Sequence, residues 1–404
     1  MALTKTPIIN EQLDTLNGLM GSLVRQKMSE ATEVDLDEIA KNVRRGLASQ
    51  IYDIGDQIIV PWKDTAADVE YSMPFDIVHI GKAVLETGEE VPAMYLQSHY
   101  CTPFGVQFDA NEALYTQGTA LAAGTYYFTI GQTWSSNLYK AGTNIQFTLA
   151  NAVPANGQIV LAQGTVDAKT IDSFKVTTYE SPTSTTAIET AQCSLGSSGT
   201  SLGTLSNVQN YGTSGLNHMH RCNYGYNRWS QSALRQFLNS NAAKTAWWTP
   251  QNNFDRPPTE LTTKDGFMKG FGDDFLSILK PIKITTALNT VEGSAIGTTE
   301  DTYDTFFLPS KRNMNLSEQL SGVEGDIWDY WYRATKGKKP ADYTNGAAPI
   351  TYAIENHASA QHVRLRSARR GHAYITWFVT SSGYVSYGGD AASSIRFAPA
   401  CAIC

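Results

Sequence analysis

The chain of 404 residues is poor in cysteine and in charge, and it contains no long apolar run. Its five cysteines are odd in number and scattered, which is not the pattern of a disulfide framework. Charged residues make up 17% of the chain and the net charge is −7, which argues against nucleic acid as a partner, because that partner needs a basic surface. No window reaches transmembrane length, and the N-terminus lacks an apolar signal core. We therefore expect a soluble protein that does not insert into membranes and that leaves the cell, if it does, by a route such as host lysis.

Catalytic signatures are missing as well. The chain has no Gly-x-Ser-x-Gly elbow, Walker loop, His-Glu-x-x-His helix or dinucleotide fingerprint. A Cys-x-x-Cys pair stands at Cys401 and Cys404, after the last predicted strand, and it has no second pair at zinc-finger spacing. These gaps predict a protein that is not an enzyme and that carries no cofactor.

Two groups of residues resemble incomplete metal sites. His218, His220 and Cys222 would project from one face of a strand, but a single strand supplies no fourth ligand. The acidic residues of segment 300–304 lack the spacing of a calcium loop, so a solvated loop is the favoured interpretation. The sequence predicts no metal site.

The N-terminal region, residues 1–60, is expected to be helical. Its first part has apolar residues at the a and d positions of a short coiled coil, and its second part has the apolar spacing of an amphipathic helix. The region either docks and oligomerises or forms a helical hairpin packed on its own domain, and the sequence does not separate these two readings. The apolar positions are Leu13, Leu16, Met20 and Leu23, then Leu36, Ile39, Val43 and Leu47.

Past residue 115 charged residues almost vanish, and segments alternate between apolar and polar residues with a period of two. We predict an inserted all-β domain, a sandwich or jelly roll, over residues 115–217, in which residues 181–217 are a Ser-, Thr- and Gly-rich linker. A spacer or scaffold role is favoured over glycan binding. The predicted strands are Thr125–Ile130, Asn144–Leu149, Gln158–Leu161 and Ser173–Thr177.

Residues 61–114 and 218–404 flank this insert. Before it, we expect a strand over Gly55–Trp62 that stops at its proline, and a hairpin of Ile77–Ile80 and Ala93–Leu96.

After the insert, the pattern predicts a helix over Ser230–Asn239 with Ser230 as its N-cap, burying Leu234, Phe237 and Leu238. The aromatic cluster Trp328–Tyr332 is expected in the core rather than on a sugar-stacking surface.

The last forty residues combine two short strands with an unusual middle. Val363 and Leu365 alternate with arginines, and Ile395 and Phe397 bracket another arginine, so both ends predict strands. Between them, Arg369–Asp390 is crowded with Arg, His, Tyr, Trp and Ser, which is typical of a recognition surface. The alternative is an ordinary solvated hairpin.

The order of motifs in this stretch resembles the end of a C-type-lectin-like domain of the kind found in phage and gut-bacterial proteins, including targets of diversity-generating retroelements. Upstream segments resemble its opening hairpin (Phe75–Ile80 and Ala93–Ser98), its helix (Trp229–Asn239) and its "D-x-x-F-L-L-S" strand (Thr302–Ser310). Together these pieces cover roughly half of the chain. The matching residues of the C-terminal part are Leu365, Arg366, Ser367, Val379, Gly383, Val385, Ser394, Arg396, Ala398 and Ile403.

The resemblance implies an α+β fold, in which a C-type-lectin-like domain carries the all-β insert and follows an N-terminal helical region. It implies a phage receptor-binding or adhesion protein of the virion that is made in the host cytoplasm. This protein would be a homotrimer that docks to other virion proteins through residues 1–60 and binds a host surface protein or glycan. The alternatives are a structural virion component with the lectin-like domain as scaffold and, less favoured, a bacterial surface adhesin.

The loop that such proteins vary corresponds to Arg369–Asp390. Within it, Phe378, Val379 and Val385 match apolar strand positions and are expected to be buried. The predicted ligand-contacting residues are Arg369, Arg370, His372, Tyr374, Thr376, Trp377, Tyr384, Ser386, Tyr387 and Asp390.

Overall fold

The structure is a computed structural model that describes residues 35–116, 118–131, 140–161, 171, 174–205, 219–292, 294, 296–344 and 346–404. The predicted coiled-coil seam lies outside the described residues, as do His218 and the end of the predicted linker. No helix of the described residues is long and apolar enough to cross a membrane.

The described helices are short, and most connect or cover sheets. The α-helices are α1 (Leu36–Arg44), α2 (Ala48–Ile51), α3 (Met219–Tyr224), α4 (Ala233–Leu238), α5 (Asp273–Ile278) and α6 (Asp329–Ala334), and 3₁₀ turns lie at Trp229–Gln231, Thr259–Thr262 and Phe267–Gly270.

Strands make up most of the regular structure. They are β1 (Gln57–Asp64), β2 (Val69–Val84), β3 (Glu90–Ser98), β4 (Val106–Gln107), β5 (Tyr115–Thr116), β6 (Gly124–Ile130), β7 (Asn144–Leu149), β8 (Gln158–Leu161), β9 (Lys175–Tyr179), β10 (Ala187–Leu195), β11 (Thr200–Leu205), β12 (Ile282–Ala287), β13 (Thr299–Asp304), β14 (Phe306–Phe307), β15 (Thr351–Tyr352), β16 (Ala360–Gln361), β17 (Val363–Ala368), β18 (Ile375–Val379), β19 (Val385–Asp390), β20 (Ser394–Ile395) and β21 (Ala400–Ile403).

The main sheet is antiparallel and has the strand order β1-β2-β3-β21-β14. Its C-terminal strand β21 lies inside the sheet, where Cys401 pairs with Leu96 on one side and with Phe306 on the other. The expectation that the cysteine pair follows the last strand was therefore wrong. The predicted stop at Pro61 was also wrong: β1 continues to Asp64, because it is an edge strand and tolerates a residue that lacks an N–H.

Helix α1 covers this sheet as the predicted amphipathic helix. Asp35 caps it by accepting a hydrogen bond from the Glu38 N–H at 3.1 Å, and Ile39 and Val43 are buried in the main core. Since α1 packs against β3 and α5, the second predicted helix packs on its own domain.

The helix predicted from residue 230 is shorter than expected. A 3₁₀ turn occupies Trp229–Gln231, and α4 begins after Ser232, whose Oγ accepts from the Arg235 N–H at 3.2 Å. Ser232 rather than Ser230 is thus the N-cap. The predicted burial of Leu234, Phe237 and Leu238 is confirmed.

The insert forms a curled sheet with the strand order β11-β6-β7-β10-β9-β8-β5. Strand β10 pairs with β9 over Ala187–Gln192 and then with β7 over Cys193–Leu195, so the sheet folds around one core. The prediction of a linker over residues 181–217 was partly wrong, because this segment contains β10 and β11. The predicted apolar faces are confirmed as buried: Tyr126, Phe128 and Ile130 on β6, and Ile145, Phe147 and Leu149 on β7.

Two segments adopt other structure than the sequence predicted, and a third keeps its predicted core position in part. Residues 219–224 form helix α3 rather than a strand, so His220 and Cys222 do not share a face. Segment 300–304 belongs to β13, where its carboxylates pair with arginine or lysine, and is no solvated loop. The cluster Trp328–Tyr332 enters α6; Trp328 and Trp331 are buried, which confirms a core position for both tryptophans.

The protein is thus a mixed α and β structure, mostly β with few helices. The main core lies between the main sheet, the helices and the small sheet β17-β18-β19, and the insert has a separate core.

Candidate recognition surface

The predicted recognition stretch folds as a hairpin rather than a long loop. After β17, residues 369–374 form a short loop, and then β18 and β19 pair antiparallel. The hairpin turn places Gly383 at a φ of 78°, a conformation that favours glycine. Segment 342–343 covers the outer edge of β19, where the Tyr343 N–H donates to the Val385 carbonyl at 3.1 Å.

Three of the ten predicted contact residues are buried inside the protein. Thr376, Trp377 and Ser386 are 0%, 1% and 8% exposed, so the prediction that they contact a ligand was wrong. Trp377 lies under the Lys311 ammonium, 3.5 Å from its ring, and under the ring of Tyr387. Both strand faces are covered here, which residue type alone does not reveal.

The prediction that Phe378, Val379 and Val385 are buried is confirmed, at 8%, 2% and 0% exposure. Among the remaining predicted residues, Tyr384 is set apart. It lies at the hairpin turn, where its carbonyl accepts from the Thr380 N–H at 2.9 Å, so it is at the opposite end of β18 from the 369–374 loop.

The first group on the surface surrounds Tyr387. The Arg369 guanidinium lies 3.5 Å from the centre of the Tyr387 ring, and Tyr343 meets that ring edge-on, with the ring centres 5.1 Å apart. Tyr343 is 51% exposed, so this stack of a cation and two rings is open to solvent.

The second group surrounds Tyr374. The rings of His220 and Tyr224, both from α3, stack on Tyr374 with centre distances of 4.8 and 5.0 Å. His372 meets Tyr374 edge-on at 5.5 Å. Both groups therefore lie on the 369–374 loop and the strand ends beside it, where Asp390 pairs with Ile375.

We call this surface the aromatic face. Arg370 lies beside it, with its backbone held by the Gln319 side chain at 2.8 Å and by Thr290. The face consists of Arg369, His372, Tyr374 and Tyr387 from the predicted set, together with Tyr343, His220 and Tyr224.

Charges on the aromatic face are tuned by partial burial. Burial and the nearby charge of Arg369 lower the pKa of His372, so this ring is neutral at pH 7. Burial raises the pKa of Asp390, while the Arg364 guanidinium opposes that rise. Nδ1 of His372 is buried and has no hydrogen-bond partner among the described residues. The face thus combines cationic and neutral donors with flat rings.

The Leu365-Arg366-Ser367 motif lies on β17, the strand that pairs with β18 of the hairpin. Arg366 is 2% exposed and donates to the carbonyls of Leu308 and Glu324 at 2.8 Å. Ser367 Oγ donates to the Glu324 carboxylate at 2.5 Å. The alternation of this strand does not mark an outer face, because its arginines are as buried as its apolar residues.

Three members of the aromatic face were not predicted from the sequence. Tyr343 and Tyr224 lie far along the chain from the hairpin, and His220 stood out only as an incomplete metal ligand. Their positions depend on tertiary pairing, which local patterns do not encode.

A separate cluster of buried carboxylates lies at the base of the insert. Asp109, Glu112 and Asp255 each place one oxygen within 4.8 Å of the others. Burial first, and then mutual repulsion, raises the pKa of Asp255 to about 7 and that of Asp109 well above its usual range. These are the described residues grouped closely enough to hold a metal ion. The five cysteines are buried, and Cys222 donates to the Ala113 carbonyl.

A cleft of about 250 Å³ lies beside the main sheet, over Tyr95 and Trp328. Its cations are already paired: Lys82 with Glu90 at 2.6 Å, and Lys283 with Asp301 at 2.8 Å. These lysines are therefore less available to a ligand than Arg369 on the aromatic face, which stacks on a ring.

Comparison with known proteins gives one match. Residues 206–403 match the model of a family described as a domain of unknown function, DUF6273. The match begins directly after β11 and ends at the last residue of β21. It therefore contains all residues of the aromatic face and none of the insert strands. No curated protein and no solved structure matches the chain.

Proposed function

We propose that this protein is a non-enzymatic binding protein of a phage virion, in which a C-type-lectin-like domain presents the aromatic face to a protein or glycan on the host cell surface. The observation that carries the proposal is the stacking of Arg369 on Tyr387, with Tyr343 and the Tyr374 group beside it. Exposed tyrosine and arginine on a rigid support are the side chains that dominate binding energy at interfaces.

The lectin-like fold is part of this proposal. The segments that resemble its opening hairpin and its closing strand lie side by side, since Gln97 of β3 pairs with Ala400 of β21. The "L-R-S" motif also has a structural role, because Arg366 donates to the Glu324 carbonyl and Ser367 donates to the Glu324 carboxylate. Both observations agree with the resemblance.

We expect this face to bind sugar rings, or the aromatic and acidic side chains of a protein. Tyrosine and neutral histidine rings stack on flat apolar surfaces, and Arg369 and Arg370 attract carboxylate or phosphate groups. Within residues 1–60, docking to the virion and trimer formation are assigned to the coiled-coil positions Leu13–Leu23, because α1 packs on the main domain. The insert is assigned a spacer role. Variation of 369–390 by a retroelement would leave a near-copy of this region, differing only at adenines, in the same locus.

The test is binding of the purified chain to a panel of gut bacterial cells and to a glycan array. Tyr387→Ala should weaken binding about 30-fold, the effect of losing roughly 2 kcal/mol at an interface anchor. Tyr332→Ala is the control, because Tyr332 is an exposed tyrosine on α6 that is not part of the aromatic face. Equal binding by both variants and the wild type would support the alternative, a structural virion component whose lectin-like domain is a scaffold.

A further inference from the structure

The insert joins the rest of the protein through a segment that leads directly into β5. In this segment, the Glu112 N–H donates to the Arg221 carbonyl at 3.1 Å, and the Ala113 N–H donates to the Phe254 carbonyl at 2.6 Å. Arg221 lies on α3, where the chain returns after the insert. The outgoing and returning chains therefore meet a third loop, around residue 254, at one point.

Three fully buried carboxylates converge at this junction. Asp109, Glu112 and Asp255 are 2%, 0% and 1% exposed, and one oxygen of each lies within 4.8 Å of the others. Asp255 is fixed by the Asn252 backbone N–H at 3.1 Å and by the Asn252 side-chain amide at 2.6 Å.

The described residues supply too little positive charge for this cluster. Arg221 bonds to Glu112 and, at 2.9 Å, to Glu292, which is a fourth buried carboxylate. One guanidinium therefore faces four carboxylates. Buried charges without compensation are costly, so such a group requires protons or a cation.

One oxygen of the cluster has no hydrogen-bond partner within the part of the chain that the structure describes. Oε2 of Glu112 is buried and accepts no hydrogen bond from the described residues, although the other oxygen of the same carboxylate bonds to Arg221. A buried acceptor left open beside two further carboxylates is a position where a cation would bind.

We propose that Asp109, Glu112 and Asp255 bind one Ca²⁺ ion, which braces the insert against the main domain. All three ligands are oxygens, which a hard cation prefers, and sulfur or imidazole ligands are not part of the group. Ca²⁺ bonds to oxygen at about 2.3–2.6 Å, so ligands on opposite sides of it are about 5 Å apart, close to the spacing found here. This proposal does not rest on the proposed function of the aromatic face.

The alternative explanation for the buried carboxylates is a proton shared among them. A bound Ca²⁺ ion and a shared proton predict different responses to added metal. The full chain is dialysed against EDTA and then against Ca²⁺ or Mg²⁺, and bound metal and thermal unfolding are measured. We expect one Ca²⁺ per chain with a Kd below about 1 mM, and a Tm about 3 °C or more higher in Ca²⁺ than in EDTA. No bound Ca²⁺ and an unchanged Tm would overturn the proposal, and equal affinity for Mg²⁺ would overturn the choice of Ca²⁺.

Two variants locate the ion. Asp255→Asn and Glu112→Gln should each weaken Ca²⁺ binding at least about 10-fold and abolish the Tm difference between Ca²⁺ and EDTA. Glu324→Gln is the matched control: Glu324 is equally buried but bonds to Ser367, outside the cluster, so this variant should keep the Ca²⁺ response. Ca²⁺ binding that survives both cluster substitutions would place the ion elsewhere and refute the assignment.

Discussion

The insert and the main domain bury their side chains by different rules. In β6 and β7 of the insert, burial alternates along the strand, with apolar residues inside and mainly threonine, asparagine or glutamine outside, together with Tyr127. In β17 and β18 of the main domain, every residue is buried, whether apolar or charged. A strand that is covered on both faces must find partners for its polar side chains within the protein, whereas a strand with one wet face need not.

This difference divides the stability of the molecule between two kinds of interaction. The insert depends on apolar packing in its own core, whereas the main domain also depends on buried charges such as Arg364 and Arg366. Burial of a charge is unfavourable unless its hydrogen bonds are complete, so the main domain is the more sensitive to loss of a single polar partner.

The largest effect should come from Arg366→Met. Met fills most of the volume but leaves the buried Glu324 carboxylate without its guanidinium neighbour and the carbonyls of Leu308 and Glu324 without a donor. We expect the free energy of unfolding of the main domain to fall by about 3–5 kcal/mol in urea titration. Arg45→Met, at an exposed arginine, should change it by less than about 0.5 kcal/mol. Equal losses in the two variants would contradict the role of Arg366 in the core.

A smaller and more local effect is expected from Leu149→Ala in the insert. Leu149 is 1% exposed in the insert core, and the cavity left by its truncation should cost about 2–4 kcal/mol. The loss should appear in an insert transition, followed by near-ultraviolet circular dichroism, while the main-domain transition stays in place.

Thr148→Ala serves as the control for that variant. Thr148 is the exposed neighbour on the same strand and bonds to the Thr125 hydroxyl at 3.0 Å, so its loss should cost about 1 kcal/mol or less. A single transition that shifts as a whole in Leu149→Ala would mean that the two regions unfold together. Deletion of residues 115–180 is not a substitute for these variants, because it would leave β10 and β11 without their partner strands.

The same division explains which features could be predicted from the sequence. The insert strands Asn144–Leu149 and Gln158–Leu161 were predicted with their observed bounds. In Asn144–Leu149, one wet face gives a clean period of two. The main domain was predicted less well. Trp377 was expected on the surface, and Cys401 was expected after the last strand although it lies within β21. Both positions depend on partners that are distant in sequence.

The candidate site shows the same limit. Arg369, His372, Tyr374 and Tyr387 were recognised from their types and their crowding. Tyr343 was missed, since its contact with Tyr387 follows from the pairing of segment 342–343 with β19. The buried carboxylates of the junction were missed for the same reason, because Asp255 lies more than a hundred residues from Asp109.

The smallest expected effect is a pH dependence that separates the two regions. Residues 115–205 of the insert contain no histidine, whereas His99 of the main domain bonds to the Asp76 carboxylate at 2.7 Å. This hydrogen bond raises the pKa of His99, so the folded protein binds a proton more tightly than the unfolded chain. The stabilisation from this pair is therefore complete below the unfolded pKa of about 6.5 and is lost as the pH rises through the higher folded value.

His99→Gln isolates that contribution. Other groups face the pair: Gln57 donates to the second Asp76 oxygen at 2.8 Å, the Tyr330 hydroxyl also bonds to Asp76, and Tyr100 meets the His99 ring edge-on. These groups remain in the variant, so the wild type minus the variant reports His99 alone. The difference in unfolding free energy should be below about 1 kcal/mol at pH 5.5, because His99 is partly exposed, and it should shrink as the pH rises to 8. The insert transition should not change over this range, and a difference that grew with pH would mean that His99 is neutral in the folded protein.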